Sequence, residues 1–461
     1  MMTVSRRKLL VGTLGVSATA LLARPYIAKA QAKTASIWFQ QGFVKQEDEA
    51  LKKTIAAYEK LSGNKIEYSI MPFRALNQKA ISALTIGDVP DLIFHDAPTA
   101  ILPQNAWHNR LEDMSDVVAT QESKYSESAL LAASFYNGTT KKRSYYMAPV
   151  KQNSAPYHVW SDLVVKAGFK MEDIPERWDD RFSFFKGVHD GLRKAGMRRT
   201  FGIGLQITTV GPNDGNNLWY HFMIANGGEG LVTRDGKLHT DDPKVREAAI
   251  HSMEFMTDLY KGGYVPPEAL SWNDADDNNA YHSKLFAMDL DGTLSTELAQ
   301  ITKNPKGYHE EMRVLDVGKK NDGTQMLSQV GAGGGFVPKG AKNPQVAKDF
   351  MKYFIQPEVM NDNLKNGLGR WVPAIPDVAK SDSWWTDPKL DPHRAQYTQQ
   401  TVLEPTIPNW IGYNPALGQV NAEQVWCHGH ADVIKNGLTP AQAVDKAFAR
   451  ANEIFEKFSF G

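Results

Sequence analysis

The sequence predicts an α/β protein that opens with a largely parallel sheet carrying helices on both faces. Two observations predict it. Short apolar runs alternate with stretches whose apolar residues recur every three or four positions, and the order strand, helix, strand, helix, strand is that of crossover units feeding a parallel sheet. The composition is that of a folded chain. Of 461 residues, 42% are hydrophobic, 10% aromatic and 23% charged, enough for a large core and two or three ordinary domains.

Residues 36–39 (SIWF) read as a short buried strand. Over 45–61, Leu51, Ile55, Tyr58 and Leu61 share one helical face, and Ser62-Gly63-Asn64 stops the helix. Residues 65–70 alternate apolar and polar as a half-buried strand does. Helical spacing returns over 75–86 through Leu76, Ala80, Ile81 and Leu84, Gly87 ends it, and 91–95 (DLIFH) is a third strand. Ligands of such sheets lie beyond the carboxyl ends of the strands, which points to Phe39, Gln40 and Gln41 and to His95 and Asp96. A second α/β block follows: 147–153 leads into an apolar strand over 157–160 and a helix from near Asp162, and then come a strand over 201–206 and a helix over 217–225. Asp241-Asp242-Pro243 caps a long helix with the Pro in its first turn, ending at Gly262-Gly263. There is no internal repeat, low-complexity tract or charge block.

Charge and cysteine content exclude several classes. Lys+Arg and Asp+Glu both number 52, so the cationic surplus that nucleic-acid binding requires is missing. Arg6-Arg7-Lys8 precedes an uncharged run to Ala23, and Ala28-Lys29-Ala30 follows. This is the three-part pattern of a signal peptide, and the paired arginines resemble a twin-arginine export signal. At about 1.5 Å per residue the run from Leu9 spans roughly 22 Å, short of the ~30 Å bilayer core. Export with cleavage near Ala30 leaves 47 positive against 52 negative side chains, a mildly acidic mature protein. Cys427 is the only cysteine, so neither an internal disulfide nor a lipid anchor at the cleavage site is available, and a soluble periplasmic location is expected.

The first strand–helix turn, Gln40-Gln41-Gly42-Phe43, lacks the glycine-rich phosphate loop that dinucleotide and P-loop chemistry need. The glycine run at 331–335 precedes Phe336-Val337-Pro338 rather than opening a helix, and reads as a tight bend or a close approach to ligand. Neither a Gly-x-Ser-x-Gly elbow nor a His-Glu-x-x-His motif occurs.

The order of these segments resembles extracellular solute-binding protein family 1, the maltose-binding-like receptors that serve ABC importers. The resemblance runs over nearly the whole mature chain. It is carried by Trp38-Phe39, by residues 81–95 (ISALTIGDVPDLIFH), by the stretch from Ala148-Pro149 to Trp160, by 284–292 (KLFAMDLDG), and by 334–338 (GGFVP) followed by 343–350 (NPQVAKDF). The family usually has Gly before the Lys at the 281–284 turn, where this chain has Ser283.

The resemblance implies a two-lobed periplasmic binding protein fold of the type II, maltose-binding-like kind, with the ligand in a cleft closed by a hinge. It implies a signal peptide over 1–30, one lobe from 31–148 with 313–358, and the other from 149–312 with 359–461. It implies no cofactor, a carbohydrate ligand, transient contact with ABC permease subunits of the inner membrane, and a monomer. A sugar needs flat aromatic surfaces for its C–H faces together with hydrogen-bonding groups for its hydroxyls. Such pairings occur at Trp38, Phe39, Gln40 and Gln41; at His95 and Asp96; at Asn217 and Trp219; at Trp272, Asn273 and Asp274; and at Arg370 and Trp371. Gln152, Gly334 and Gly335 complete the expected site, with Trp410 and Tyr413 as a rim.

Each residue has a bland alternative: Trp38 and Trp219 as core aromatics, Asp96 as a helix cap, Arg370 in a salt bridge. Lys151, Arg74 and Arg370 equally suit an acidic sugar or structural ion pairs. The rival functions are a glycoside hydrolase using Asp289 and Asp291, which share a strand face, and a metal- or anion-binding receptor. Cys427, His428 and His430 form the only short-range metal-ligand cluster, and adjacent Tyr145 and Tyr146 would point to opposite strand faces.

Overall fold

Among the described residues, thirteen strands fold into two principal sheets and a hairpin: β1 (Thr34–Gln40), β2 (Lys65–Met71), β3 (Leu92–His95), β4 (Ser134–Asn137), β5 (Lys142–Tyr145), β6 (Ala148–Asn153), β7 (Tyr157–Trp160), β8 (Phe201–Ile203), β9 (Phe286–Leu290), β10 (Met312–Leu315), β11 (Ser328–Phe336), β12 (Val372–Pro373) and β13 (Thr406–Pro408). The computed structural model describes residues 33–210, 214–273, 275–301 and 303–458. The expected signal peptide lies outside these residues. Among the described residues no helix is long and apolar enough to cross a membrane.

The periodicity places the early elements well. The helix Lys45–Ser62 ends at Gly63 with φ 75°, and Phe73–Ile86 ends at Gly87 with φ 93°, left-handed positions that glycine takes without steric cost. Asp242 caps the helix Pro243–Lys261 by accepting from the N–H groups of Lys244 and Val245. At the 281–284 turn the left-handed residue is Lys284, with φ 56°, and its ammonium is held by Asp162 at 2.8 Å and Glu311 at 2.6 Å.

The larger sheet has the order β12-β6-β11-β3-β1-β2, with β13 pairing the start of β11. β1 runs parallel to β2 and β3, as expected. β11 inserts antiparallel to both β3 and β6, so the sheet is mixed. The smaller sheet, β10-β7-β9-β8, is antiparallel except for β8 with β9.

β6 leads into β7 through Ser154, Ala155 and Pro156, so the chain passes from the larger to the smaller sheet there. It returns between β10 and β11. Leu294, Leu298 and Tyr308, and then Met360, Leu364, Trp371, Trp385, Tyr397 and Val402, bury their side chains in the core that Ile37, Phe39 and Phe350 form under the larger sheet. The division expected at 358/359 is therefore not where the packing changes partner. Trp410 onward joins the core of the smaller sheet.

The glycines of β11 serve chain-to-chain contact. A Cβ on Gly333 would stand 2.4 Å from the Asp96 carbonyl oxygen, one on Gly334 2.1 Å from that of Ala148, and one on Gly335 2.5 Å from Met351 Sδ. The register also shifts between Gly333 and Gly334. Gly334 and Gly335, expected to face ligand, stand in this structure against Ala148 of β6 and Met351 of the helix Pro344–Phe354. Gly334→Ala should cost about 1–3 kcal/mol, as overpacking does. Gly230→Ala, whose Cβ would meet only Val245 at 3.7 Å, should stay within ~0.5 kcal/mol. Urea unfolding of the two variants checks the difference.

Candidate functional site

A cleft of about 660 Å³, open at its mouth, lies between elements of the two sheets. One wall comes from the turn after β3 (Ala97, Thr99), from β11 (Gln329, Gly331, Ala332) and from Asn409. The other comes from the helix Asp214–Ala225 and the end of β9 (Leu290, Asp291, Gly292), and the crossing residues Asn153, Ser154 and Ala155 form the base.

The helix Asp214–Ala225 is almost wholly buried, yet Asp214, Asn217, Leu218 and His221 all face the cleft. Their spacing of three, four and seven residues is one helical face. His221 Nδ1–H donates to the Asn217 carbonyl at 2.7 Å, which leaves Nε2 as an acceptor. Burial lowers the His221 pKa, so the ring is neutral. His221 is 2% exposed, and its Nε2 has no partner among the described residues. On the facing wall Gln329 is 5% exposed, with an unpartnered Nε2 donor.

Behind the helical wall lies a set of acids. Asp291 Oδ2 accepts from Asn278 Nδ2 at 2.6 Å and Ser295 Oγ at 3.2 Å, and its Oδ1 accepts from the Gly292 N–H at 2.6 Å. Asp277 and Asp289 are 1% and 2% exposed. Burial and their acidic neighbours push both pKa values up, that of Asp289 to about 7. One oxygen each of Asp214, Asp277 and Asp291 falls within 4.8 Å of the others. His158 orders the turn: Nε2–H donates to the Asp291 carbonyl at 3.1 Å, and Nδ1 pairs with Glu297 at 2.7 Å. Burial disfavours the imidazolium, but Glu297 overrides it and raises the pKa to about 9.

A second cavity, of about 510 Å³, gathers Gln40, Asp96, Lys151, Arg370 and Trp371. Asp96 accepts from Lys151 Nζ at 2.6 Å and Arg370 Nη2 at 2.9 Å, and Arg370 Nε donates to Glu47 at 2.9 Å. Lys151 lies 4.7 Å above the Trp371 ring, and the Asp96 N–H donates to Gln40 Oε1. Burial opposes the Asp96 carboxylate, but Lys151 and Arg370 prevail and hold its pKa below the usual range.

The predicted residues thus separate. Asn217 lines the cleft; Gln40, Asp96, Arg370 and Trp371 meet in the charged cluster beside it. His95 is fully buried, accepts the Ala97 N–H at Nδ1 and donates from Nε2 to Asn77, and burial lowers its pKa to about 4. Gln41 is exposed. Gln152 is fully buried and accepts from Ser126. Asn273 is exposed and meets Arg74 at 3.4 Å. Asp274 lies outside the described residues.

The aromatics are packing residues in this structure. Phe39 sits among Tyr68, Phe94 and Phe350. Trp219, on the helix face away from the cleft, stacks on Trp426 at 5.7 Å, and Trp272 packs on Phe286. Trp38 is half-buried under Lys79. Trp410 and Tyr413 are 2% and 7% exposed, so they form no rim. Cys427 and His430 are fully buried, His430 against Trp219, and they join no metal-ligand group among the described residues. Of the Asp289–Asp291 pair only Asp291 reaches the cleft. Asp214, His221 and Gln329 lie outside the expected site; for the two on the helix, a polar stripe through otherwise apolar residues is a readable signal.

A family profile described as bacterial extracellular solute-binding protein matches residues 53–392. No curated protein shows significant similarity to the chain. Among solved structures, an ABC transporter solute-binding protein of Thermotoga lettingae bound with α-D-tagatose is 22% identical, with a TM-score of 0.73 over 92% of this chain and 100% of that one. The GacH receptor of Streptomyces glaucescens, solved unliganded and with acarbose, is 16% identical, with a TM-score of 0.72 over 93% and 100%. The Thermus thermophilus maltotriose-binding protein is 18% identical, with a TM-score of 0.68 over 91% and 100%. These likenesses establish the two-lobed fold.

Because the Asp96 pKa is depressed on folding, its pairing stabilises the protein above the unfolded carboxylate value near ~3.9 and is lost as pH falls through the lower folded value. Asp96→Asn should cost about 3–5 kcal/mol at pH 7, the usual effect of breaking a buried pair. It should also flatten the stability profile below about pH 4. Urea melts of both proteins between pH 2.5 and 7 test this; parallel profiles would refute it.

Proposed function

We propose that this chain, which belongs to the family of bacterial extracellular solute-binding proteins, is the capture component of an ABC importer that binds a carbohydrate, without chemical change, in the cleft between its lobes. The observation that carries this reading is the lining of that cleft. It is concave, built from both sheets, and supplied with Asp214, Asn217, His221, Asp291, Asn153, Gln329 and Asn409, with no lysine or arginine among its described lining residues. Hydroxyls both donate and accept, so a polyhydroxylated solute satisfies such a surface.

In this reading the larger sheet centres one lobe and the smaller sheet the other, with the first crossing at 154–156. Arg74 to Asn273 and Arg234 to Glu127 at 2.5 Å are contacts that closure would form between lobes. Asn217 touches the solute, while Asp96 and Arg370 hold the strand ends that shape one wall. The protein works as an exported, periplasmic monomer and hands its solute to the permease. The known solutes of its structural neighbours, tagatose, acarbose and maltotriose, support a sugar or sugar derivative.

A thermal-shift panel of neutral, amino and acidic carbohydrates tests the proposal. A true ligand at about 100 times its Kd adds ~2.7 kcal/mol of stability. For that ligand Asn217→Ala should weaken binding about tenfold, the effect of roughly 1.4 kcal/mol. Trp219→Phe should lower stability but leave Kd unchanged. Chromatography should recover the bound carbohydrate intact; a panel without any ligand, or a turned-over product, would overturn the reading.

A further inference from the structure

We propose that His221 and the facing Gln329 set the solute class of the cleft: they admit a neutral carbohydrate, whose hydroxyls satisfy both, and turn away its acidic derivatives. This rests on the carbohydrate-receptor function proposed for the same cleft and narrows it.

His221 enters the cleft wall as a fixed acceptor. Its Nδ1–H is committed to the Asn217 carbonyl at 2.7 Å within the helix Asp214–Ala225. The ring lies nearly parallel to that of the fully buried Trp178, with 11° between the planes and 6.4 Å between centroids. Hydrogen bond and indole together hold the imidazole plane. Burial keeps the ring neutral, and a neutral ring protonated at Nδ1 carries a lone pair at Nε2. That nitrogen has no partner among the described residues, in a side chain that is 2% exposed and lines the cleft. An unpaired buried acceptor is destabilising, so it marks a place that a donor from the solute completes. On the other wall Gln329 of β11, 5% exposed, lines the cleft with an Nε2 donor that is likewise unpartnered among the described residues.

The two atoms make a joint demand. A hydroxyl both donates and accepts, so a hydroxylated edge satisfies either wall. A carboxylate is ionised at neutral pH and has no proton to give. Turned toward Gln329 it accepts a hydrogen bond; turned toward His221 it sets lone pair against lone pair.

Its charge also lacks a cation to meet. The described lining contains no lysine or arginine and includes Asp291. Lys151 and Arg370 are held by Asp96 and Glu47, and His158 by Glu297 at 2.7 Å. A site whose buried polar groups would be left unpaired rejects the wrong analogue far more sharply than an apolar pocket does, so a single imidazole suffices to set the class.

Calorimetry near neutral pH compares matched pairs that differ by oxidation of one carbon: D-glucose with D-glucuronate, D-galactose with D-galacturonate, maltose with maltobionate, and maltotriose with its aldonate. We expect at least one neutral member to bind the wild type, and to do so at least about tenfold more tightly than its acid, the effect of one lost hydrogen bond. His221→Phe keeps a ring against Trp178 and removes the acceptor. It should weaken that neutral sugar by about tenfold or more, while the Tm of the sugar-free protein stays level or rises, because the deleted Nε2 was unpaired. A purely structural histidine would give a lower Tm instead. Gln329→Leu, on the opposite wall, should weaken the same sugar as well, and the wild-type preference needs no variant. A preference below tenfold, or binding undiminished in His221→Phe, overturns this inference alone. Binding of no member by the wild type removes the carbohydrate reading and this inference with it.

Discussion

A quartet of charges, the buried Arg370, Asp96 and Lys151 with the half-buried Glu47, is the constraint on which the cleft depends. Any one of these groups alone in the interior would cost several kcal/mol, and together two cations and two carboxylates offset one another through short, directed hydrogen bonds. They arrive on the first helix, the turn after β3, strand β6 and the loop before β12. Four distant stretches of chain must therefore meet in one geometry before the charges are satisfied. The consequence for the cleft is chemical as well as structural: Lys151 and Arg370, the cations nearest the strand ends, are spent on Asp96 and Glu47. What remains for a solute is a surface of carboxylates, amides and a neutral imidazole.

Local order was legible because it is local. Apolar spacing and left-handed glycines marked the early helices to within two residues, since both signals act over one or two turns. The insertion of β11 between β3 and β6 pairs residues more than 170 positions apart, and nothing in a strand's own residues states its neighbour or direction. The glycine run was noticed, but its reason lies in the carbonyls of Asp96 and Ala148 that press against it. The same limit applied to the site. Asn217 and Trp219 were flagged together, yet two positions along a helix are some 200° apart, so one faces the cleft and the other the core. For Arg370 the salt-bridge alternative describes the structure, and the partner that decides it, Glu47, is 323 residues away. The acids Asp214, Asp277 and Asp291 come together only through tertiary packing.

In the proposed reading, polarity couples the cleft to its own closure. His221 Nε2 accepts and Gln329 Nε2 donates, from opposite walls, and neither has a partner among the described residues. An unpaired buried polar atom costs about 1–3 kcal/mol, so bringing the walls together around nothing that hydrogen-bonds is unfavourable. Water in an open cleft satisfies both atoms, and so does a hydroxylated solute in a closed one. The solute then shifts the balance toward closure by the difference between these states, since a ligand moves an equilibrium only through its differential affinity. An anionic solute gains less, because Asp214 and Asp291 oppose its charge and no lysine or arginine lines the described cleft to compensate. In that reading the arrangement that selects the solute is the same one that makes closure depend on it.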